Sequence, residues 1–204
     1  SIYTFDRKDA DKIVINYKNE VPEFNQRNNW KSLKPFSLTN KPIKFIFLKD
    51  LEDPFYNQII YVPSIEYNYY DGLIPGMRFF NKTILDRPIN FDINPSYSTK
   101  SKSLTGSFAF AVNQFRRNSN LFNIRYGIST DYFHYAPDAS YHRINTSINL
   151  RLREYDYRDN HKQSINFRNI YVNREKSDLV NSDFEGKYSV FNARYVNAKT
   201  EITK

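Results

Sequence analysis

From residue 58 to residue 198 apolar and polar positions alternate along most of the chain, the period of a strand whose successive side chains point to opposite faces. In residues 89–97, Ile89, Phe91, Ile93, Pro95 and Tyr97 interleave with Asn90, Asp92, Asn94 and Ser96. Residues 121–134 repeat the pattern at greater length: Phe122, Ile124, Tyr126, Ile128, Thr130 and Tyr132 oppose Asn123, Arg125, Gly127, Ser129 and Asp131. In residues 141–153, Ile144, Thr146, Ile148, Leu150 and Leu152 take one side and Arg143, Asn145, Ser147, Asn149, Arg151 and Arg153 the other. Residues 58–70, 73–80, 104–115, 163–173 and 188–198 complete a set of eight strands. They are separated by polar turn clusters such as Asp71-Gly72, Asn118-Ser119-Asn120, Ala136-Pro137-Asp138 and Asn181-Ser182-Asp183. The fold class expected is all-β, an antiparallel up-and-down meander.

The stretch before residue 57 reads differently. Residues 12–17 form a short strand candidate, after which Pro22, Pro35, Pro42 and Pro54 interrupt regular structure. Residues 43–48 are nearly all apolar and are followed by Glu52-Asp53-Pro54, which predicts a first hairpin. The division expected is residues 1–40 as the end of a preceding domain and a connector, and residues 41–204 as the β segment.

Alternation does not say which face points inward. A soluble barrel or sandwich hides the apolar side; a membrane barrel shows it to lipid. Several runs reach ten to thirteen residues, where globular strands centre near 5–6 and membrane strands need about 9–11, which favours a transmembrane β-barrel, whole or partial. On that reading Asn90, Asp92, Asn94, Asn123, Arg125, Arg143, Asn145, Asn149 and Arg151 face the lumen, and Phe122, Ile124, Tyr126, Ile128, Ile144, Ile148 and Leu150 face lipid. Tyr67, Tyr69 and Tyr70, with Tyr132, Phe133 and Tyr135, are candidates for an interfacial girdle, or for ordinary aromatic packing. The soluble alternative is a lipocalin-like binding module with Phe122, Ile124, Tyr126, Ile144 and Ile148 lining an apolar cavity.

Composition fits β structure: 17 Tyr and 17 Phe stand beside 5 Gly, 1 Met and 1 Trp. With no Cys, disulfides, thiolate nucleophiles and thiolate zinc sites are excluded, and the compartment is left open. No run approaches the roughly 18 apolar residues of a membrane helix, and residues 1–8 lack a signal-peptide core, so any export signal is expected outside this sequence. The net charge is +8, but basic residues are scattered with no run longer than a pair such as Arg116-Arg117, so nucleic acid is not expected as a partner.

Candidate chemistry is sparse. His134 and His142 flank the Pro137-Asp138 turn, with Asp131 or Asp138 nearby, but histidines beside a loop are more often surface residues than metal ligands. Glu52 with Asp53, and Asp156 with Asp159, sit at turns, where Asp has a backbone role. The glycines at 72 and 76 lack a phosphate-loop pattern, and Asn81-Lys82-Thr83 and Asn145-Thr146-Ser147 are chance matches to a glycosylation acceptor. Several arginines on one strand face suit anion binding or lumen charge, against the blander expectation of salt bridges with Glu66, Asp92 and Asp131. No catalytic, cofactor-binding or metal residue is expected, and no cofactor.

One set of words is more specific. Asp50-Leu51-Glu52-Asp53-Pro54-Phe55-Tyr56-Asn57-Gln58, Tyr70-Asp71-Gly72-Leu73-Ile74-Pro75-Gly76-Met77-Arg78, Asn81-Lys82-Thr83, and Tyr97 to Ser107 resemble the C-terminal region of gluzincin-type metallopeptidase-like proteins of Bacteroidetes. So do Arg125-Tyr126-Gly127-Ile128-Ser129, Phe133-His134-Tyr135, Phe167-Arg168 and Val172-Asn173-Arg174-Glu175. The resemblance implies an N-terminal aminopeptidase-like domain ahead of an outer-membrane barrel, and hence a piece of a longer protein. The family's His-Glu-x-x-His motif is absent: none of His134, His142 and His161 is followed by Glu, so no catalytic residue carries over. The last residues, 198–204, lack the terminal aromatic common in complete outer-membrane barrels, which adds to the expectation of a fragment. The expected role is a non-catalytic barrel segment in the bacterial outer membrane, with membrane lipid and the parent's N-terminal domain as partners. Oligomeric state is left open, as is an enzyme site completed by the missing domain.

Overall fold

The computed structural model describes residue 4 and residues 6–33, 41–48, 53, 55–83, 87–116, 119–154, 160–179 and 186–200. Nine of its strands form one sheet in sequence order: β3 (Ile43–Phe47), β4 (Asn57–Asn68), β5 (Gly72–Phe80), β6 (Ile89–Tyr97), β7 (Leu104–Phe115), β8 (Leu121–Ala136), β9 (Ala139–Arg153), β10 (His161–Arg174) and β11 (Lys187–Lys199). From β4 to β11 every neighbouring pair is antiparallel, so the meander read from alternation is present. Among the described residues β3 and β11 remain the two edges and do not pair, so the sheet is open.

Two local expectations need correction. The predicted first hairpin is a parallel pair: Ile43 aligns with Asn57 and Phe47 with Tyr61, while Asn57 N–H donates to Pro42 O at 2.8 Å. An apolar run fixes which face a strand buries but not its direction; Glu52 and Pro54 of the expected turn lie outside the described residues. The first strand is also shorter than residues 12–17. β1 (Lys12–Val14) pairs only with β2 (Trp30–Ser32), because Asn16 adopts φ 51° and its amide bonds Val21 on both sides, turning the chain. This two-stranded sheet touches the large one through Phe55, whose ring meets Tyr17 and Trp30 edge-on.

Register gives each face its members. Directly paired residues point to the same side of a pleated sheet, and one row runs Ile60, Phe80, Asp92, Ala109, Ser129, Asn145, Ile170 and Val190. The same-direction strands β4, β6, β8 and β10 begin three, three, eight and nine residues before that row, so the sheet is staggered in one sense. Gly106 takes φ +138° where β7 crosses β6, and a Cβ there would strike the carbonyl of Asn94, so no larger residue fits that crossing.

Burial is inverted relative to a soluble sheet. Gln58, Ile60, Ile74, Asn94, Ser96, Ala111, Asn113 and Asn123 are buried, and all stand on the face that carries the polar alternates. Away from the β8–β9 hairpin tip, Ile124 is the one buried member of the opposite face among the described strand residues. That apolar face is open: Ile65 is 73% exposed, Tyr67 74% and Leu104 73%, with Tyr126, Ile128 and Ile148 near 40%. No described element covers it.

Candidate functional site

Charge separates the two faces more sharply than hydropathy does. Every Asp, Glu, Lys and Arg within β4–β10 stands on the polar face: Glu66, Arg78 and Asp92 on β4–β6, Arg125 and Asp131 on β8, and the arginines and lysine of β9 and β10. The apolar face of these seven strands has none. Asn90, Asp92, Asn94, Asn123, Arg125, Arg143, Asn145, Asn149 and Arg151 therefore share one side, and Ile124, Tyr126, Ile128, Ile144, Ile148 and Leu150 the other. Phe122 departs from that grouping. It is the extra residue of a bulge between the pairs Leu121–Leu152 and Asn123–Arg151, and its ring lies under the Arg153 guanidinium, 5.3 Å to the ring centre. A pattern of strict twos cannot show an inserted residue.

On the polar face two ion pairs form between adjacent strands. Arg78 clasps Asp92 with bonds of 2.8 and 2.5 Å, and Arg143 clasps Asp131 at 3.0 and 2.6 Å. Glu66 accepts from Asn94 at 3.0 Å. The other strand arginines bond amides: Arg168 Nε donates to Asn145 Oδ1 at 2.8 Å, and Arg125 Nη1 approaches Asn113 Oδ1 at 3.5 Å. Small residues of β7–β9, Ala109, Ala111, Gly127, Ser129 and Ser147, leave a depression of about 270 Å³ in this face. On the apolar face Tyr126, Ile128 and Ile148 line a groove of about 380 Å³ with Phe110, Phe167 and Phe191. Phe122, Ile124 and Ile144, named for the cavity of a binding module, do not line it.

Three turns at one end meet on a single carboxylate. Asp71, fully buried in the β4–β5 turn, accepts from His134 N–H (2.9 Å), from Ser101 Oγ (2.7 Å) and from Asn68 Nδ2 (3.3 Å), and faces His134 Nδ1 at 2.8 Å. Its carbonyl takes Ser98 Oγ at 2.6 Å and Lys100 N–H at 3.0 Å. Burial by itself would raise the Asp71 carboxyl, but the bonds from His134, Ser101 and Ser98 outweigh it and hold the group below its ordinary value. The β4–β5, β6–β7 and β8–β9 connections are thereby clamped together. Ser101 donates to Asp71 and not to His134, so the nucleophile-to-base contact of a hydrolase triad is not made.

His142 bonds Thr130 Oγ1 at 2.8 Å, and Asp138, in the β8–β9 turn, holds the segment after β10 through Ser177 Oγ (2.6 Å) and Asp178 N–H (2.9 Å). His134, His142, Asp131 and Asp138 are thus each engaged with a different partner and do not converge. Asp53 accepts from Lys44 at 3.0 Å, while Glu52, Asp156 and Asp159 lie outside the described residues. Of the aromatic girdle candidates, Tyr67 and Tyr69 are exposed at the Asp71 end, and Tyr135 packs on Arg174, 4.1 Å from the guanidinium to the ring centre.

A second cluster was not legible in the sequence. Where β5 ends, Arg27, Lys41 and Arg87 converge on a cavity of about 410 Å³ at the foot of β4. Arg87 Nη1 donates to Gln58 O at 3.3 Å, and Arg27 Nη2 to Gln58 Oε1 at 3.2 Å. Burial lowers Arg27 and Arg87 to about 10; burial together with the charges of Arg27 and Arg87 lowers Lys41 to about 8. These three residues are sixty positions apart at the extremes and share no motif.

Compared with protein-family models, with curated proteins and with solved structures, the chain matches none.

Proposed function

We propose that the chain is a segment of an outer-membrane β-barrel, non-catalytic in itself, which anchors or presents an N-terminal metallopeptidase-like domain of the same parent protein. The observation that carries the membrane reading is the one-sidedness of charge. Seven consecutive strands hold all their charged residues on the face that is also the more buried, and leave an uncharged apolar face uncovered. Water penalises that arrangement and lipid rewards it. Dimensions are compatible: from Ile124 to Tyr132 the apolar alternates of β8 span eight residues, about 26 Å along the strand at roughly 3.3 Å each, which a tilt of about 35–45° projects to about 20 Å of an apolar band about 25 Å tall in membrane barrels. The stagger along the central row is the kind that tilted barrel strands require. The parent's peptidase-like domain is supported by the resemblance of the words around Asp71, Arg125 and Val172 alone.

The test is amphiphile dependence. The full 204-residue chain is diluted from urea into buffer, into neutral detergent and into phospholipid vesicles, and its β signature is followed by circular dichroism. Cooperative β structure only with detergent or lipid is the expected result. A soluble, cooperatively unfolding monomer in plain buffer overturns the membrane reading and favours the soluble binding module, whose ligand would then occupy the groove beside Tyr126, Ile148 and Phe167.

A further inference from the structure

The polar face is not evenly charged. Across β8–β11 it carries eight Lys and Arg side chains and one carboxylate, Asp131, which Arg143 already clasps. The carboxylates of the neighbouring strands are engaged locally: Asp92 is held by Arg78, and Glu66 bonds Asn94. Arg153 and Lys162 stand directly opposite each other, with Arg151 one diagonal step from Lys162 and another from Arg125. Like charges in such positions repel. Arg168 and Arg194 form a further diagonal pair. Arg125, Arg151, Lys162, Arg168 and Arg194 are all exposed, so they are accessible from the open side of this face.

This basic region borders the depression floored by Ala109, Ala111 and Gly127. Arg125 and Lys82 line it, Asn90, Ser129 and Asn145 add polar groups, and Arg168 reaches its wall through its bond to Asn145. The one carboxylate on its lining, Asp92, is occupied by Arg78. We propose that this depression and its basic border bind anions bearing one or two phosphate groups. Guanidinium groups fit phosphate oxygens by paired, charge-assisted hydrogen bonds, and the side-chain amides of Asn90 and Asn145 provide further donors. The proposal concerns one face of the folded sheet and holds whether the other face meets lipid or protein.

The experiment uses the full chain, folded in whichever medium supports its β spectrum, titrated with pyrophosphate by calorimetry at low ionic strength. Pyrophosphate binds, and raising the salt weakens it. Arg125→Gln and Arg168→Gln each lower affinity about tenfold, the loss of roughly one charge-assisted contact. Lys187→Gln, which removes the same charge from the register positions of the opposite face, changes affinity less than about twofold. Circular dichroism confirms that each variant folds. The proposal is overturned if wild type takes up no pyrophosphate, or if Lys187→Gln weakens binding as much as Arg125→Gln does. A chain that folds in plain buffer and binds pyrophosphate refutes the membrane reading while leaving this site standing; one that needs lipid and binds none does the reverse.

Discussion

Placing one arginine on each face of the same strand separates lipid from water as the environment of the sheet. Ile128 lies midway between Ile124 and Tyr132, about 13 Å from either end of the apolar band at roughly 3.3 Å per residue. An arginine at the midplane of a membrane barrel's outer face costs about 2–4 kcal/mol, which lowers the folding equilibrium about 30- to 1000-fold. Ile128 is already 41% exposed, so in water the same substitution should stay within about 0.5 kcal/mol. Ser129, the next residue, points to the polar face, where it loses only a 3.3 Å bond from Asn145 and has the neighbouring depression to fill. Ser129→Arg should therefore cost no more than about 1 kcal/mol. Tyr67→Arg, at the turn end of the apolar face that carries Ile128, should cost about 0–1 kcal/mol. Folding free energies would be read from urea titrations in phospholipid vesicles, with tyrosine and tryptophan fluorescence as the signal. The reasoning fails if Ile128→Arg is no more costly than Ser129→Arg, or if the cost does not depend on depth between Ile128 and Tyr67.

Two further outcomes follow from the buried clusters. Asp71→Ala strands the donors on His134, Ser101 and Asn68 and should destabilise the fold by about 3–5 kcal/mol in urea melts, where an exposed turn aspartate would cost little. Because the folded-state value of Asp71 is depressed, its stabilisation is complete above the ordinary carboxylate range and is lost as pH falls through the folded value; Asp71→Asn should remove that share of the acid sensitivity. Lys41 gives a slope of the same sign at higher pH. With its value lowered from 10.5 to about 8, the unfolded chain binds the extra proton between those limits, so stability should rise with pH there by at most about 1.4 kcal/mol per unit. Lys41→Met should flatten that rise; an identical slope in the variant refutes it.

Much of the architecture was readable because period-two alternation is a local property. All eight strands of the meander are present, since their turns carry Gly, Asn, Asp and Pro at the points where pairing must stop. The faces were readable for the same reason, Phe122 excepted, because an inserted residue in a bulge leaves the composition of a strand unchanged. The direction of β3 was not readable, as a short, mostly apolar strand pairs equally well either way.

What the sequence by itself determined is which residues share a side: a dyad period forces Ile124, Tyr126 and Ile128 together and Asn123, Arg125 and Ser129 opposite, whatever the sheet packs against. Only the tertiary structure decided which side is tucked in, because that depends on the curvature and coverage of the whole sheet. It also decided that Asp71 meets His134 and Ser101, and that Arg27, Lys41 and Arg87 gather at one cavity. Those contacts join residues tens of positions apart, brought side by side by a register accumulated across successive strands, and no local pattern in the chain encodes such a sum.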